Sequence, residues 1–270
     1  MKNTKYIFCF CIIFLSQFIR ANGPGDNSCG VKNTTTQNGE EITYAVFYSL
    51  AGAYVYAGAA TFSNKLETYN GKVVYHVVGA GGTNPKYDWM YKVRDRYESY
   101  VDTATMQPLK FIRDVHEGRT VKYENVSFNR SANTAITDSG VYKVPNCIQD
   151  IQSAIYYVRN FDFNKYKPGD KIPFQVFLDN HTYDLYMRYL GKEEIKTRYG
   201  KFKAVKFKAM LLPGTVFKEG ENMTIWVSDD PNRVPLRIES PIIVGSIKVD
   251  MMDYKNLRYP LTSLEKKKSK

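Results

Sequence analysis

Residues 100–114, "YVDTATMQPLKFIRD", and residues 226–240, "WVSDDPNRVPLRIES", follow nearly the same pattern. Each stretch contains a strand that ends in an acidic residue, a short polar turn, a Pro-Leu pair, a basic residue and a second apolar strand. Proline fixes φ and removes a backbone donor, so it suits the first residue of a strand. The pattern therefore predicts one β-hairpin written twice, some 126 residues apart.

The segments around these two hairpins also predict strands. The chain has 22 Tyr and 15 Phe but only 2 Trp, and Gly, Asn, Asp and Pro break its aromatic and β-branched runs, which is typical of strands. Side chains alternate between two faces in 42–50 and 182–190, and Asn70-Gly71 is a strong two-residue hairpin signal. We therefore expect antiparallel strands in both halves of the chain.

One segment, 146–160, predicts a longer helix. Asn146 can cap its first turn after a proline, and Arg159 suits its C-terminal end. A short turn of helix is also expected at about 86–90, before a strand. The apolar stripe of the longer helix consists of Ile148, Ile151, Ala154, Ile155 and Val158.

The predicted fold is mainly β, with a single curved antiparallel sheet that forms a half-barrel or open barrel around one central α-helix. Two related halves, about 40–145 and 170–258, would be joined by the helix at 146–160. No Pro/Gly/Ser linker separates them, so we expect one domain over 22–264. Residues 265–270 form a lysine-rich tail.

The first 21 residues have the pattern of a secretory signal peptide. Lys2 and Lys5 precede an apolar run over 6–19, and Ala21 is the expected cleavage position. An apolar run of this length is short for a membrane span, although a retained N-terminal anchor is the alternative. Export to the periplasm or to an outer-membrane-associated location is therefore expected.

The charge of the chain argues against a nucleic-acid partner. The formal net charge is +11; Lys2, Lys5 and Arg20 leave with the signal, and the tail 265–270 holds four Lys and one Glu, which leaves 11 − 3 − 3 = +5 for the body. This charge is spread evenly and is not a basic stripe. The lysine tail is expected to be a solvated end, with peripheral contact to an anionic membrane as the alternative.

Two of the four cysteines, Cys9 and Cys11, lie in the expected signal, so the mature chain would keep Cys29 and Cys147. Two thiols in an oxidising compartment favour one disulfide, which would close a long loop worth on the order of 4–5 kcal/mol in unfolded-chain entropy. Two free buried thiols are the alternative. Either arrangement excludes a metal site built from four cysteines.

Motifs for catalysis, metals or cofactors are not found. His76, His116 and His181 have no second ligand at metal-binding spacing, and the glycine-rich stretch 79–85 ends in Asn-Pro where a nucleotide-binding helix would begin. Asp229-Asp230 suits a turn better than a calcium site. We therefore expect no cofactor, no metal and no enzymatic activity; an enzyme would need a cleft with converging carboxylates or histidines.

The aromatic residues suggest a ligand. A sheet curved around a helix can leave part of its concave face lined by aromatic side chains, and tyrosine combines an apolar ring with a hydroxyl that stays in contact with water. We expect a groove for a lipid, an acyl chain or an apolar peptide; the alternative is a protein-interaction or assembly module of the cell envelope. The residues expected to line the groove are Tyr44, Tyr48, Trp89, Tyr157, Tyr183 and Trp226.

Four further stretches are distinctive, namely "CGVKNTTTQNGEEITYAVFYSL", "YKVRDRYESYVD", "PNCIQDIQSAIYYVRN" and "GSIKVDM". Together they resemble the domain-of-unknown-function 3108 family of exported proteins from Gram-negative bacteria, and the resemblance runs over about 29–260. It implies a periplasmic or outer-membrane-associated β protein, and it supports the bridge between Cys29 and Cys147. The duplicated hairpin is more distantly similar to those of periplasmic lipoprotein carriers, which are half-barrels that bind acyl chains.

Overall fold

The computed structural model describes residues 31–50, 53–211, 220–242 and 245–267. In these residues one antiparallel sheet of fifteen strands surrounds one short α-helix. The helix is α1 (Ile151–Val158). The strands are β1 (Glu41–Leu50), β2 (Ala53–Tyr69), β3 (Lys72–Thr83), β4 (Val93–Asp102), β5 (Pro108–Glu117), β6 (Thr120–Asn129), β7 (Thr134–Thr137), β8 (Gly140–Lys143), β9 (Lys171–Leu178), β10 (His181–Lys196), β11 (Gly200–Leu211), β12 (Gly220–Ser228), β13 (Pro235–Pro241), β14 (Ser246–Lys255) and β15 (Leu264–Lys267).

The strand order confirms the predicted single open sheet. Neighbouring strands follow the order β8-β7-β6-β5-β4-β3-β2-β1-β14-β13-β12-β11-β10-β9, and β15 pairs with β11. The first eight strands therefore form one meander and β9 to β14 form another. The two meanders join where β1 pairs with β14, so strands from opposite ends of the chain lie at the centre of the sheet.

Side chains of β5, β6 and β7, near one edge of the sheet, contact the turn after β9 at the other edge, and we call this junction the seam. Arg113 of β5 contacts Asp179, which lies in the turn after β9, and Lys122 Nζ of β6 lies 2.9 Å from the same carboxylate. Thr137 Oγ1 of β7 donates to Asn180 Oδ1 over 3.0 Å. The sheet is therefore curled but open: side chains bridge it at this seam, while β8 and β9 are not paired with each other.

The helix is shorter than the predicted segment 146–160. Asn146 does not cap it; Asp150 does, and its side chain accepts hydrogen bonds from the backbone of the first turn. Gln149, just before this cap, is not helical but forms a parallel bridge to β9. Its N–H donates to Gln175 O over 2.9 Å, and its carbonyl accepts from Phe177 N over 2.8 Å. The prediction was wrong at this end because the tertiary pairing holds residue 149 in an extended conformation.

The helix lies against the concave side of the sheet. It approaches β3 so closely that a Cβ on Gly79 would lie 2.7 Å from Gln152 Oε1, so a larger residue at this position would require the Gln152 side chain to move. On one side of the helix Tyr156 and Tyr157 are fully buried. Tyr157 packs in a core cluster with residues from β3, β4 and β10 to β12, including Val77 and Phe207.

The duplicated hairpins β4–β5 and β12–β13 are confirmed, and their turns share a backbone feature. Met106 and Arg233 each lie two residues before the proline of the Pro-Leu pair in their hairpin. Both have a positive φ, 56° for Met106 and 49° for Arg233. Met106 is fully buried in the cluster that contains Tyr157. Arg233 Nη1 donates to Arg159 O at the C-terminal end of α1 over 3.1 Å. Both turns therefore hold the helix inside the sheet.

Three further expectations can be placed. A short 3-10 turn at Pro85–Tyr87 confirms the helical turn expected near 86–90. The tail is not wholly a solvated end, because β15 (Leu264–Lys267) pairs with β11 at Gly200. The expected signal at 1–21 and Cys29 lie outside the described residues, so cleavage and the disulfide stay predictions. Among the described residues, no helix is long and apolar enough to cross a membrane.

Candidate functional site

A cavity of about 130 Å³ lies between α1 and the concave face of the sheet, and we call it the helix cavity. Strands from both meanders contribute to its walls, namely β1 and β2 on one side and β10 to β14 on the other. All but one of its lining side chains are uncharged. They are Ile42, Tyr44, Phe62, Ile155, Tyr156, Val158, Arg159, Phe163, Met187, Phe207, Ile225, Val227, Pro235, Ile238 and Val249.

The helix presents an apolar stripe that is not fully covered. Ile151, Ile155 and Val158 are spaced by four and three residues, so they lie on one face of α1. All three are partly exposed, whereas Tyr156 and Tyr157 are fully buried. Ile155 and Val158 line the helix cavity. An apolar helix face is thus left accessible on the concave side of the sheet.

The wall opposite the helix is held by an aromatic pair. The rings of Tyr44 and Phe62 are 5.6 Å apart and nearly perpendicular, which is a favourable edge-to-face geometry. Tyr44 OH donates to Pro235 O over 3.0 Å. Burial raises the pKa of Tyr44 well above its usual range, so the phenol is neutral. The hydroxyl is therefore satisfied by the protein and leaves only its ring for a ligand.

The one charged residue at the cavity is paired inside the protein. Arg159 Nη1 lies 2.6 Å from Glu40 Oε1, Nη2 lies 2.9 Å from Glu40 Oε2, and both residues are buried. Arg159 Nε and Nη2 also donate to Asn232 O. Burial lowers the pKa of Arg159, but Glu40 outweighs this effect and the pKa is raised overall. Since all three of its side-chain nitrogens already donate within the protein, Arg159 is not free to bind an anionic headgroup.

The structure does not bring the six expected groove residues together. Only Tyr44 lines the helix cavity. Trp89 is 84% exposed in the loop between β3 and β4, two residues after the 3-10 turn Pro85–Tyr87, so its placement in a groove was wrong. Tyr48 is partly exposed near the far end of β1.

The other three aromatic residues serve in packing. Tyr157 is fully buried in the core beneath the helix. Tyr183 of β10 packs against the apolar cluster at the seam. Trp226 is buried, and its Nε1 donates to Glu193 Oε1 over 2.6 Å. Sequence reasoning did not assign Ile155 and Val158 of α1 to the groove, although both belong to the predicted apolar stripe. The spacing of apolar residues does not show which part of a stripe other elements leave uncovered.

The size of the helix cavity limits what it can hold. Pockets for drug-sized ligands measure roughly 300–1,000 Å³, whereas an engineered apolar cavity of about 150 Å³ stays dry and binds benzene. At about 130 Å³ the helix cavity suits a small hydrocarbon group or the end of a longer chain. The remainder of such a ligand would have to lie along the partly exposed helix face.

Ionisable groups elsewhere serve local structure. Asp230 Oδ1 accepts from Ser228 Oγ and Asn232 N, which confirms the turn role that was preferred for Asp229-Asp230. His76 is buried with Nε2 2.6 Å from Glu98 Oε2. In 31–50, 53–211, 220–242 and 245–267, no three His, Cys, Asp or Glu side chains are grouped as metal ligands would be.

Comparison with known proteins gives a family and a fold. A family model described as a protein of unknown function (DUF3108) matches residues 43–252. The crystal structure of a β-barrel-like protein of the domain-of-unknown-function family DUF1849, from Brucella abortus, covers 82% of this chain and 98% of that chain, with a TM-score of 0.54 at 6% identity. At this identity the likeness shows a shared fold and nothing more.

Two other solved structures are similar at a coarser level. A candidate lipoprotein from Parabacteroides distasonis has a TM-score of 0.36 at 15% identity, covering 83% of this chain and 99% of that chain. A LolA superfamily protein from Nitrosomonas europaea has a TM-score of 0.23 at 14% identity, covering 87% and 93%. Scores this low support no argument about this chain. No curated protein matches the sequence.

Proposed function

This chain belongs to the DUF3108 family, and we propose that it is an exported, non-enzymatic protein of the cell envelope that binds the acyl chain of a lipid. The observation that carries the proposal is the partly exposed apolar stripe of α1 beside the apolar helix cavity. Proteins normally bury such a face completely, and one that is only partly covered beside an apolar cavity is suited to an apolar ligand.

The free energy of such binding would come from apolar surface removed from water and not from a charged contact. Burying about 150 Å² of acyl surface at about 25 cal/mol per Å² gives about 4 kcal/mol before the cost of association. A longer contact along Ile151 and Ile155 would add to this in proportion to the area removed from water. The cavity contact alone therefore supports an affinity no tighter than about millimolar, and micromolar binding requires the longer contact along the helix. We expect little dependence on salt, because Arg159 is already paired with Glu40.

Export is part of the proposal and rests on the amino-acid sequence. Lys2 and Lys5 followed by the apolar run 6–19 have the pattern of a secretory signal, although these residues lie outside the described ones. The proposed location is the periplasm or the periplasmic face of the outer membrane. Two cysteines remaining after cleavage, Cys29 and Cys147, fit an oxidising compartment.

The test is to fill the cavity. Ile155→Phe places a larger side chain at the cavity wall, and we expect binding of a fluorescent fatty acid to weaken about tenfold or more because the space is lost. The matched control is Val73→Phe, since Val73 is 60% exposed on the β2–β3 hairpin and far from the cavity. Equal binding by both variants at unchanged thermal stability, or no binding by the wild-type chain, would reject the proposal.

A second candidate function is protein interaction through the free sheet edge, and it is favoured by one observation. In the described part of the chain β8 pairs only with β7, and the exposed residues Ile136 and Val141 lie directly opposite each other on these two strands. An apolar edge of this kind can accept a strand from a partner. A photo-crosslinker at position 141 should then capture one defined envelope protein, whereas a crosslinker at position 73 should not.

A further inference from the structure

Six large apolar or aromatic side chains are exposed together at one end of the sheet, and we call them the aromatic rim. Asn84 N donates to Ala57 O over 2.7 Å, so the loop between β3 and β4 lies beside the first residues of β2. In that loop Trp89 is 84% and Met90 64% exposed. The rim consists of Tyr54, Val55 and Tyr56 from β2, and Trp89, Met90 and Tyr91 from the loop.

The exposure of the rim is built into a well-bonded loop. Asp88 Oδ1 accepts from Thr83 Oγ1 over 2.8 Å, and its Oδ2 lies 2.6 Å from Arg94 Nη2. The ring of Tyr91 packs on Gly118 in the neighbouring turn, where a Cβ would lie only 2.8 Å from the ring. These contacts fix the backbone of the loop while Trp89 and Met90 point away from the protein.

Positive charge surrounds the rim. Lys86, Lys92 and Arg119 are exposed, and among the described residues none of them lies within ion-pairing distance of a carboxylate. Of the acidic groups nearby, Asp88 pairs with Arg94, while Asp95 and Glu117 lie near Tyr91 and have no cationic partner among the described ion pairs. Three unpaired cations against two unpaired carboxylates leave the charge around the rim net positive.

We propose that the aromatic rim docks the protein on an anionic phospholipid bilayer. Trp and Tyr prefer the boundary between headgroups and acyl chains, and Lys or Arg near an anionic surface each contribute about 1 kcal/mol of attraction, a factor of about five. Trp89 and Met90 enter this boundary, while Lys86, Lys92 and Arg119 face the phosphates. This surface is separate from the helix cavity, so docking does not depend on the ligand proposed above.

The experiment measures binding of the full mature chain to vesicles in which about one lipid in four is phosphatidylglycerol. The wild-type chain should sediment with these vesicles and much less with pure phosphatidylcholine. Replacing Lys86, Lys92 and Arg119 by Gln should weaken binding about hundredfold, because three cations are lost. Trp89→Ser with Met90→Ser should weaken it about tenfold.

Brominated lipids show whether Trp89 enters the bilayer. The chain has only two tryptophans, and Trp226 is buried and bonded to Glu193, so quenching by bromine atoms in the acyl chains should arise from Trp89. Quenching should vanish in Trp89→Phe. Val73→Ser, at the opposite end of β3, is the control and should bind like the wild type. Absence of quenching, equal binding to neutral vesicles, or crosslinks from position 89 to a protein alone would overturn the proposal.

Discussion

Glu40 and Arg159 form the most deeply buried ion pair in the described part of the chain, and it joins the segment before β1 to the end of α1. Removing one partner leaves the other charge buried and uncompensated. We therefore expect Glu40→Ala to lower the free energy of unfolding by about 3–5 kcal/mol in urea denaturation. Replacing both residues, with Glu40→Leu and Arg159→Met, should recover most of this loss.

The adjacent residue provides the control for this prediction. Glu41 pairs with Lys255 over 2.7 Å, but both side chains are well exposed. Exposed pairs contribute little, so Glu41→Ala should change the free energy of unfolding by about 0.5 kcal/mol or less. If Glu40→Ala were as mild as Glu41→Ala, the pair would not be the anchor of the helix end.

Asp150 gives a prediction about pH. Burial raises the pKa of this carboxyl from 3.8 to about 6, although Ser99, Ser153 and Gln152 donate hydrogen bonds that lower it. The folded state therefore binds more protons than the unfolded state between about pH 4 and 6, and the contribution of Asp150 to stability falls as pH rises through this window. The change from this group is about 2–3 kcal/mol.

The variant Asp150→Asn isolates that contribution. Asparagine is as good an N-cap as aspartate but does not titrate, so the helix start is kept. Urea denaturation at about pH 4 and pH 7 should show a smaller decrease in stability for the variant than for the wild type. Parallel pH profiles for the two proteins would contradict the raised pKa.

At the scale of elements, sequence patterns that depend on local chemistry were sufficient to predict the strands and the two hairpins. Alternation and turn residues predicted the strands, and the Pro-Leu-basic pattern predicted both hairpins that hold the helix. The N-terminal bound of α1 was not predictable from local sequence, because Gln149 pairs with β9, a strand distant from it in the sequence. β15 was missed because "EKKK" reads as a solvated tail, and only pairing with β11 orders it.

The candidate site was predictable only in part for a related reason. The apolar stripe of α1 is visible in the sequence, but periodicity states that a face is apolar and not whether another element covers it. The aromatic residues selected from composition went mostly to the core or the surface, since Tyr and Trp serve packing as readily as binding. Of these, Tyr44 is the one at the helix cavity.

The backbones of β2 and β3 approach each other closely at Gly58. A Cβ on Gly58 would lie 2.1 Å from Gly82 O, whereas one on Gly81 would lie 3.3 Å from its nearest neighbour. The Gly82 carbonyl belongs to the backbone of β3, so it cannot move aside for an added Cβ as a flexible side chain can. Gly58→Ala should therefore lower the free energy of unfolding by about 3 kcal/mol, and Gly81→Ala by about 1 kcal/mol or less, in matched urea titrations. Equal effects would show that this close approach does not require glycine at position 58.

At the scale of the whole molecule, one sheet carries two separate surfaces. The helix cavity is enclosed by strands of both meanders, so it exists only because β1 and β14 join the two halves. The aromatic rim lies at one end of β2 and β3, outside the cavity. If both proposals hold, a bilayer at the rim would bring lipid to the end of a sheet whose interior accepts an acyl group.

The enclosure of that interior also depends on the seam between the two edges. Arg113 is buried there and contacts both Asp179 and, over 2.9 Å, Glu124. Burial raises the pKa of Glu124. Burial acts in the same direction on Asp179, but Lys122 and Arg113 outweigh it, so the pKa of Asp179 is lowered. The guanidinium thus holds together carboxylates from both sides of the seam.

Arg113→Met keeps much of the side-chain volume but removes the charge, so the two carboxylates should repel each other and the seam should open. We expect faster amide hydrogen exchange, confined to β8, β9 and residue 149, and a loss of about 2–4 kcal/mol in stability. Arg96→Met on the neighbouring strand is the control, because the Arg96 side chain is half exposed and Glu98 keeps its contact with His76 when Arg96 is removed. Exchange that rises evenly over all strands would instead mean that Arg113 stabilises the sheet as a whole. In that case Arg113 would not be what holds the two edges together at the seam.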